Sequence, residues 1–213
     1  MVLAPAPRHR VQKKTLIASE RARADVVLAR QRWREQQPGI VPGRLVFVDE
    51  TAAATNLAPR YGWAARSERL IGQVPHGHWH ANTFVAGLTL EGPIAPLMID
   101  GAMNAVTFEQ WVEGVLVPAL PRSAIVVMDN LGAHKGPRVA ELIEAAGAEV
   151  RYLPPYSPDL NPIEQTFAKL KHALRAAGCR TWEALWKEIG RVLKRIAPAE
   201  CARYFAHAGY RIK

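Results

Sequence analysis

Three acidic residues stand where a metal-dependent nuclease places its ligands. Asp49 closes the apolar run Leu45-Val46-Phe47-Val48. Asp129 closes a second run, Ala124-Ile125-Val126-Val127-Met128, and Glu164 heads a helix introduced by Asn161-Pro162. Between Asp129 and Glu164 lie 34 residues. Carboxylates brought together repel one another and take up protons unless a cation lies between them. Magnesium prefers hard oxygen ligands and keeps several waters, so a few carboxylates suffice to hold it. Two such ions can activate a nucleophile and stabilise the leaving oxygen in phosphodiester displacement. The chemistry these types and positions suggest is metal-dependent cutting and joining of phosphodiesters.

Taken singly, each acid also has a plainer reading. Asp49 and Glu50 are neighbours on a strand and point to opposite faces. Asp49 shares its face with Leu45 and Phe47, Glu50 with Val46 and Val48, and periodicity does not choose between them. Asp129-Asn130 is also an ordinary turn signal after a strand. Glu164 sits at the third helical position behind Asn161 as N-cap and Pro162 as first helical residue, the place of a capping-box glutamate.

The elements that must position these acids can be read from periodicity. Residues 21–37 read as a helix with a partial stripe of Val26, Val27, Ala29, Arg30 and Trp33, stopped by Pro38-Gly39. Residues 44–49 form a strand buried on both faces, and 55–72 suggest a short strand and turn around Tyr61-Gly62-Trp63. Strands over 79–90 and 94–99 are joined at Glu91-Gly92-Pro93. A helix runs from Thr107 to about Leu120, with Thr107 and Gln110 as a capping box. A strand follows over 123–129, then a helix over 136–147 and a short strand over 149–153. After the stiff loop Pro154-Pro155-Tyr156-Ser157-Pro158-Asp159 come helices near 162–177, 182–196 and 198–206. Ile163, Phe167, Leu170 and Leu174 form the buried stripe of the first of these, and Lys171 and Arg175 follow the side of Glu164. An antiparallel meander that becomes β-α-β-α-β-α predicts an α/β fold, a mixed central sheet with helices on both faces.

The bulk numbers agree with one domain plus appendages. The chain has 213 residues, 49% of them hydrophobic and 22% charged, a globular composition. No apolar run approaches a membrane span, and the N-terminus lacks the apolar core of a signal peptide. Cys179 and Cys201 suit a reducing compartment and have no finger-like spacing for zinc. The net charge of +9 is unevenly distributed: +6 over residues 1–43, −4 over 44–150 and +7 over 151–213. An acidic centre between basic flanks suits a metal site beside a polyanion.

Several segments resemble bacterial insertion-sequence transposases of the mariner superfamily. They are Phe47-Val48-Asp49-Glu50-Thr51, Arg60-Tyr61-Gly62-Trp63-Ala64, Gly101-Ala102-Met103-Asn104, Val127-Met128-Asp129-Asn130 through Lys135, and Leu153-Pro154-Pro155-Tyr156-Ser157-Pro158-Asp159-Leu160-Asn161-Pro162-Ile163-Glu164. The likeness covers nearly the whole chain from about Lys13. It implies a ribonuclease H-like fold with a mixed five-stranded sheet flanked by helices. It also implies a DDE triad of Asp49, Asp129 and Glu164 that is at once catalytic and metal-binding. That assigns the first position to Asp49 over Glu50. Two Mg2+ ions are implied, with Mn2+ able to substitute. The implied reaction is cut-and-paste transposition: hydrolysis at the element's ends, then attack of the freed 3′-hydroxyl on target DNA, usually at TA.

Around the triad, Glu50, Asn130 and His134 are expected to support the ligands or the scissile phosphate. Arg60, Lys135, Lys169, Lys171 and Arg175 are expected to contact DNA. His134 also reads as a structural loop histidine. His76, His78 and His80 would share a strand face, more naturally a polar edge near DNA than a metal cluster. Trp63, Trp79 and Trp111 read as core. Relatives carry helix-turn-helix units ahead of this region. Residues 1–43 therefore resemble a basic linker to such a DNA-binding region, 44–178 the catalytic domain, and 179–213 helices packing on it. The expected partners are transposon-end and target DNA, a second copy of the chain and a helix-turn-helix product from an upstream frame; no membrane is expected. The expected location is the bacterial cytoplasm, at the nucleoid. A different class of reading is a DNA-binding remnant whose acids only cap turns. A glycosidase with paired carboxylates leaves the basic flanks unexplained.

Overall fold

In the computed structural model, residues 17–59, 61–74, 79, 81–130 and 132–212 are described. A five-stranded sheet carries the fold, in the order β3-β2-β1-β4-β5. The strands are β1 (Leu45–Ala54), β2 (Ala81–Leu88), β3 (Pro93–Asp100), β4 (Ile125–Met128) and β5 (Glu149–Tyr152). The meander β1-β2-β3 is antiparallel, and β4 and β5 add to β1 in parallel. The helices are α1 (Ala24–Gln36), α2 (Ala105–Trp111), α3 (Val117–Ala119), α4 (Pro137–Ala145), α5 (Ile163–Ala177), α6 (Trp182–Leu193) and α7 (Pro198–His207). A π-helical turn over Val112–Leu116 makes α2 and α3 one continuous run.

Unbroken hydrophobicity in β1 reflects burial on both faces. Leu45 and Phe47 join a core with Trp33 of α1 and with α5, α6 and α7. Val46 and Val48 join a second core with Phe108, Trp111 and Leu116 on one side and Val139 and Ile143 of α4. The predicted stripe of α5 is buried as expected at Ile163, Phe167, Leu170 and Leu174. Phe167 meets Phe84 of β2 edge-on at 6.0 Å, which fixes how α5 lies on the sheet. Gly178, with φ of 59°, ends α5 in the left-handed conformation that glycine adopts without steric cost.

The segment before α5 is braced from outside. Trp33 Nε1–H donates to the Tyr210 hydroxyl at 3.1 Å, and that hydroxyl donates to the Leu160 carbonyl at 3.1 Å. Arg30, 5% exposed, donates to Ser157 Oγ at 2.7 Å and to both Asp159 oxygens at 2.9 and 2.7 Å. Helix α1 and the C-terminal tail thus clamp the proline-rich loop that delivers α5.

Some local expectations are corrected. No strand forms among the described residues of 55–74; β1 itself continues to Ala54, drawn out by antiparallel pairing with β2. Trp63 is 99% exposed and Trp79 54% exposed, whereas Trp111 is buried as expected. The cap of α2 is Asn104, whose Oδ1 accepts from Thr107 N–H at 2.9 Å, so Thr107 lies inside the helix. The predicted helix over 21–37 begins at Ala24, after a 3-10 turn over Ser19–Ala22.

Candidate active site

Parallel pairing places the acids. β1 and β4 are in register at Val48 and Met128, so the next residues lie side by side: Asp129 just past the carboxyl end of β4, and Asp49 midway along β1, which runs on to Ala54. Sheets of this kind bind ligands outside the carboxyl ends of their strands. β5 is in register with β4 at Tyr152 and Met128, and the loop that follows returns to start α5 with Glu164 in its first turn. Asp49, Asp129, Asn130, Asn161 and Glu164 line one cleft, walled by Leu153 to Pro158 and by Arg23.

The fold separates Asp49 from Glu50. Asp49 is 9% exposed; its Oδ1 accepts from the Glu50 amide at 2.7 Å and its Oδ2 from Asn161 Nδ2 at 2.9 Å. Burial raises its carboxyl from 3.8 to about 7, and the charges of Glu164, Asp129 and Glu50 add to this against the Glu50 amide. Glu50 points the other way. Its Oε1 lies 2.9 Å from His134 Nε2, and His134 Nδ1 lies 2.7 Å from Asp129 Oδ1. The His134 ring is fully buried and packs on Phe108 at 4.4 Å. Burial opposes its charge, but its hydrogen bonds to Asp129 and Glu50 outweigh this and raise it from 6.5 to about 9. His134 is therefore an imidazolium donor tying two carboxylates together. Glu164 is exposed at the cleft mouth. Partial desolvation raises its carboxyl, Lys171 opposes that, and Asp129 adds to it.

The basic residues fare unevenly. Lys169 Nζ donates to both oxygens of Glu200 at 2.7 Å. This ion pair joins α5 to α7. Lys171 and Arg175 lie further along α5, one and two turns beyond Phe167. Arg60, the Lys135 side chain and His76, His78 and His80 lie outside the described residues. Two features escaped the sequence reading. Asn161 does not cap α5: Pro162 stands at the cap, and the Asn161 side chain goes to Asp49. Arg23, between the 3-10 turn and α1, reaches the cleft from a segment distant in sequence.

The donor set suits a divalent cation. Three carboxylates face one cleft, and the most buried of them is driven toward protonation by its burial first and then by the charges of the other two. Among the described residues, no three acid, histidine or cysteine side chains converge on one point. Magnesium, which retains several waters and binds one or two carboxylates directly, is matched to an open set of hard oxygens.

Comparison with known proteins places this geometry. The sequence model of the DDE superfamily endonuclease family matches residues 44–186. The Tcb1 transposable element transposase of Caenorhabditis briggsae is 27% identical over 152 residues, 64% of this chain and 56% of that protein. The chain thus spans little more than half the length of that relative. Among solved structures, the Mos1 strand transfer complex matches 97% of this chain and 68% of its own, with a TM-score of 0.70 and 19% identity. The Mos1 mariner paired-end complex with Mn matches 97% and 69%, at 0.67 and 18%. The Mos1 catalytic domain with raltegravir and Mg matches 89% and 94%, at 0.57 and 18%. The fold is the ribonuclease H-like one of these catalytic domains, with its mixed five-stranded sheet and flanking helices.

Proposed function

The chain belongs to the DDE superfamily endonuclease family, and from that premise we propose that it is the catalytic part of a mariner-type DNA transposase. The observation that carries this reading is the meeting of Asp49, Asp129 and Glu164 in one cleft, where the parallel pairing of β1 with β4 ends. In this reading the three carboxylates hold Mg2+, or Mn2+ in its place, which supplies an activated water and stabilises charge on the phosphate oxygens. Asp49 is the buried anchor and Glu164 the exposed edge of the set. His134 holds Asp129 and Glu50 from behind. Lys171 favours the ionised form of Glu164 against the larger effect of burial, and with Arg175 it extends cationic surface along α5 for the DNA backbone.

The reaction proposed is cut-and-paste transposition. Water adds to phosphorus at a transposon end and the P–O3′ bond breaks, leaving a 3′-hydroxyl. That hydroxyl attacks a target phosphorus, at TA, and displaces the target's own 3′-oxygen. Mos1 forms paired-end complexes with transposon ends. By analogy we propose that transposon ends are this chain's substrate and that two copies act together. We further propose a bacterial insertion-sequence origin acting at the nucleoid. Residues 1–43 would connect to a helix-turn-helix region, in this chain or in an upstream product, 44–178 form the catalytic unit and 179–213 its helical support. No described helix is long and apolar enough to cross a membrane.

A nicking and strand-transfer assay tests the reading, with a terminal-repeat-binding domain supplied in fusion. Activity should require Mg2+ or Mn2+ and vanish in each of Asp49→Ala, Asp129→Ala and Glu164→Ala. Full activity in any of the three refutes the triad. Salt-sensitive DNA binding without metal-dependent nicking identifies a non-catalytic DNA-binding remnant instead.

A further inference from the structure

Asn161 reads in the sequence as a helix cap, yet its side chain does no capping. It is 4% exposed, and its Nδ2 donates to Asp49 Oδ2 at 2.9 Å across 112 residues of sequence. The backbone around it leaves little freedom. Its amide donates to the Pro158 carbonyl at 3.1 Å, Pro162 follows it, and it holds φ −109° and ψ 101°. Its own carbonyl accepts the Glu164 amide at 3.3 Å. One residue therefore touches the strand carboxylate through its side chain and the helix carboxylate's backbone through its main chain.

We infer that Asn161 is the positioning residue that couples Asp49 to Glu164 and presents the two carboxylates to the cation as one preset pair. The inference rests on the metal-binding reading above and deepens it. A carboxylate has two oxygens and a rotatable bond, and Asp49 is held at both ends: Oδ1 by the Glu50 amide and Oδ2 by Asn161. Removing the amide frees the rotation and strips a donor from a buried oxygen. The second atom of the Asn161 amide supports the same role. Asn161 Oδ1 is buried and has no partner among the protein's atoms, and buried acceptors call for donors. Water carried into the cleft by a hydrated cation is a donor of that kind. A residue needed only to start the helix would use this oxygen on the first free amides of α5, and it does not.

Partners that orient metal ligands are worth 10–100-fold in affinity. The test uses the full chain and Mn2+ binding, read by titration calorimetry and by the electron paramagnetic resonance of free Mn2+. Asn161→Ala should weaken Mn2+ binding by about 10-fold or more while the melting temperature in EDTA stays close to that of the wild type. Asn161→Ser is the second variant, in case the first folds poorly. Its hydroxyl stops one bond short of Asp49, so it should lose affinity too. The control is Thr166→Val on α5, which removes another buried polar atom that has no partner at nearly constant shape and should leave Mn2+ affinity unchanged. Wild-type affinity in both Asn161 variants overturns the inference and leaves the metal reading standing. Equal weakening by Thr166→Val also overturns it, because the effect is then general loosening of α5. A wild-type chain that binds no Mn2+ overturns the metal reading, and this inference falls with it.

Discussion

Asp49→Asn should stabilise the metal-free protein at pH 8 while removing its response to metal. The wild-type carboxyl is raised from 3.8 to about 7 by burial first, then by Glu164 and Asp129. At about 1.4 kcal/mol per pKa unit, ionised Asp49 costs the fold on the order of 4 kcal/mol. The folded state binds the proton more tightly than the unfolded chain. This contribution is therefore fully present below the unfolded value of 3.8 and is lost as pH rises through about 7. An amide has no charge to desolvate. It can still accept from Asn161, but it gives up one of the two hydrogen bonds to the carboxylate, a loss of about 1 kcal/mol. The net gain is about 3 kcal/mol at pH 8 and under about 1 kcal/mol at pH 5, where the wild-type group is already protonated in the fold. At roughly 2–4 °C per kcal/mol for a chain of this size, the melting temperature in EDTA should rise by roughly 6–12 °C at pH 8. It should change little at pH 5. Mg2+ should then raise the wild-type melting temperature at pH 8 and leave the variant unmoved, since only a protein that binds the ion gains from it. A variant no more stable than wild type at pH 8, or shifted equally at both pH values, refutes the electrostatic account of the cleft.

Three other outcomes follow from the same contacts. His134→Phe keeps the packing on Phe108 but loses both hydrogen bonds. Because the wild-type imidazole is raised from 6.5 to about 9, its contribution, on the order of 3 kcal/mol, is complete below the unfolded value and lost as pH rises through the folded one. Urea unfolding in EDTA should show wild type leading most near pH 6, and a lead that does not shrink by pH 9.5 contradicts this. Arg30→Ala should cost about 2 kcal/mol, the worth of charge-assisted hydrogen bonds to Ser157 and partly exposed Asp159. It should also speed amide exchange across 154–160, and unchanged exchange there would show that the clamp does not hold the loop. Cys201 is fully buried, and burial pushes its thiol up to about 11, whereas Cys179 is partly exposed. A thiol reagent should label Cys179 in the native protein and Cys201 only in denaturant; equal rates would contradict this.

Local pattern alone reached far into this chain. The apolar runs ending at Asp49 and Asp129, the stripe of α5 and the charge map are consequences of burial and periodicity, which act on neighbours in sequence. They are enough to predict a mixed sheet with helices on both faces and to put acids at the ends of apolar runs, although β1 itself continues past Asp49 to Ala54. Alternation in β1 could not choose between Asp49 and Glu50, because both faces of that strand are buried and each face looks alike from within the strand. Only packing chose, by laying α5 over the face of Asp49 and Phe108 over the face of Glu50. Asn161 reads as a helix cap for a related reason. A cap and a long-range hydrogen bond require the same residue type, and the partner, Asp49, is 112 residues away. The exposed Trp63 and Trp79 mark the reverse error, since an aromatic residue signals burial only when some other element covers it. Neighbouring residues alone identify which side chains could carry the chemistry and which elements would hold them. Tertiary structure decided which way each carboxylate faces and what holds it there, because those depend on contacts between segments that no local pattern encodes.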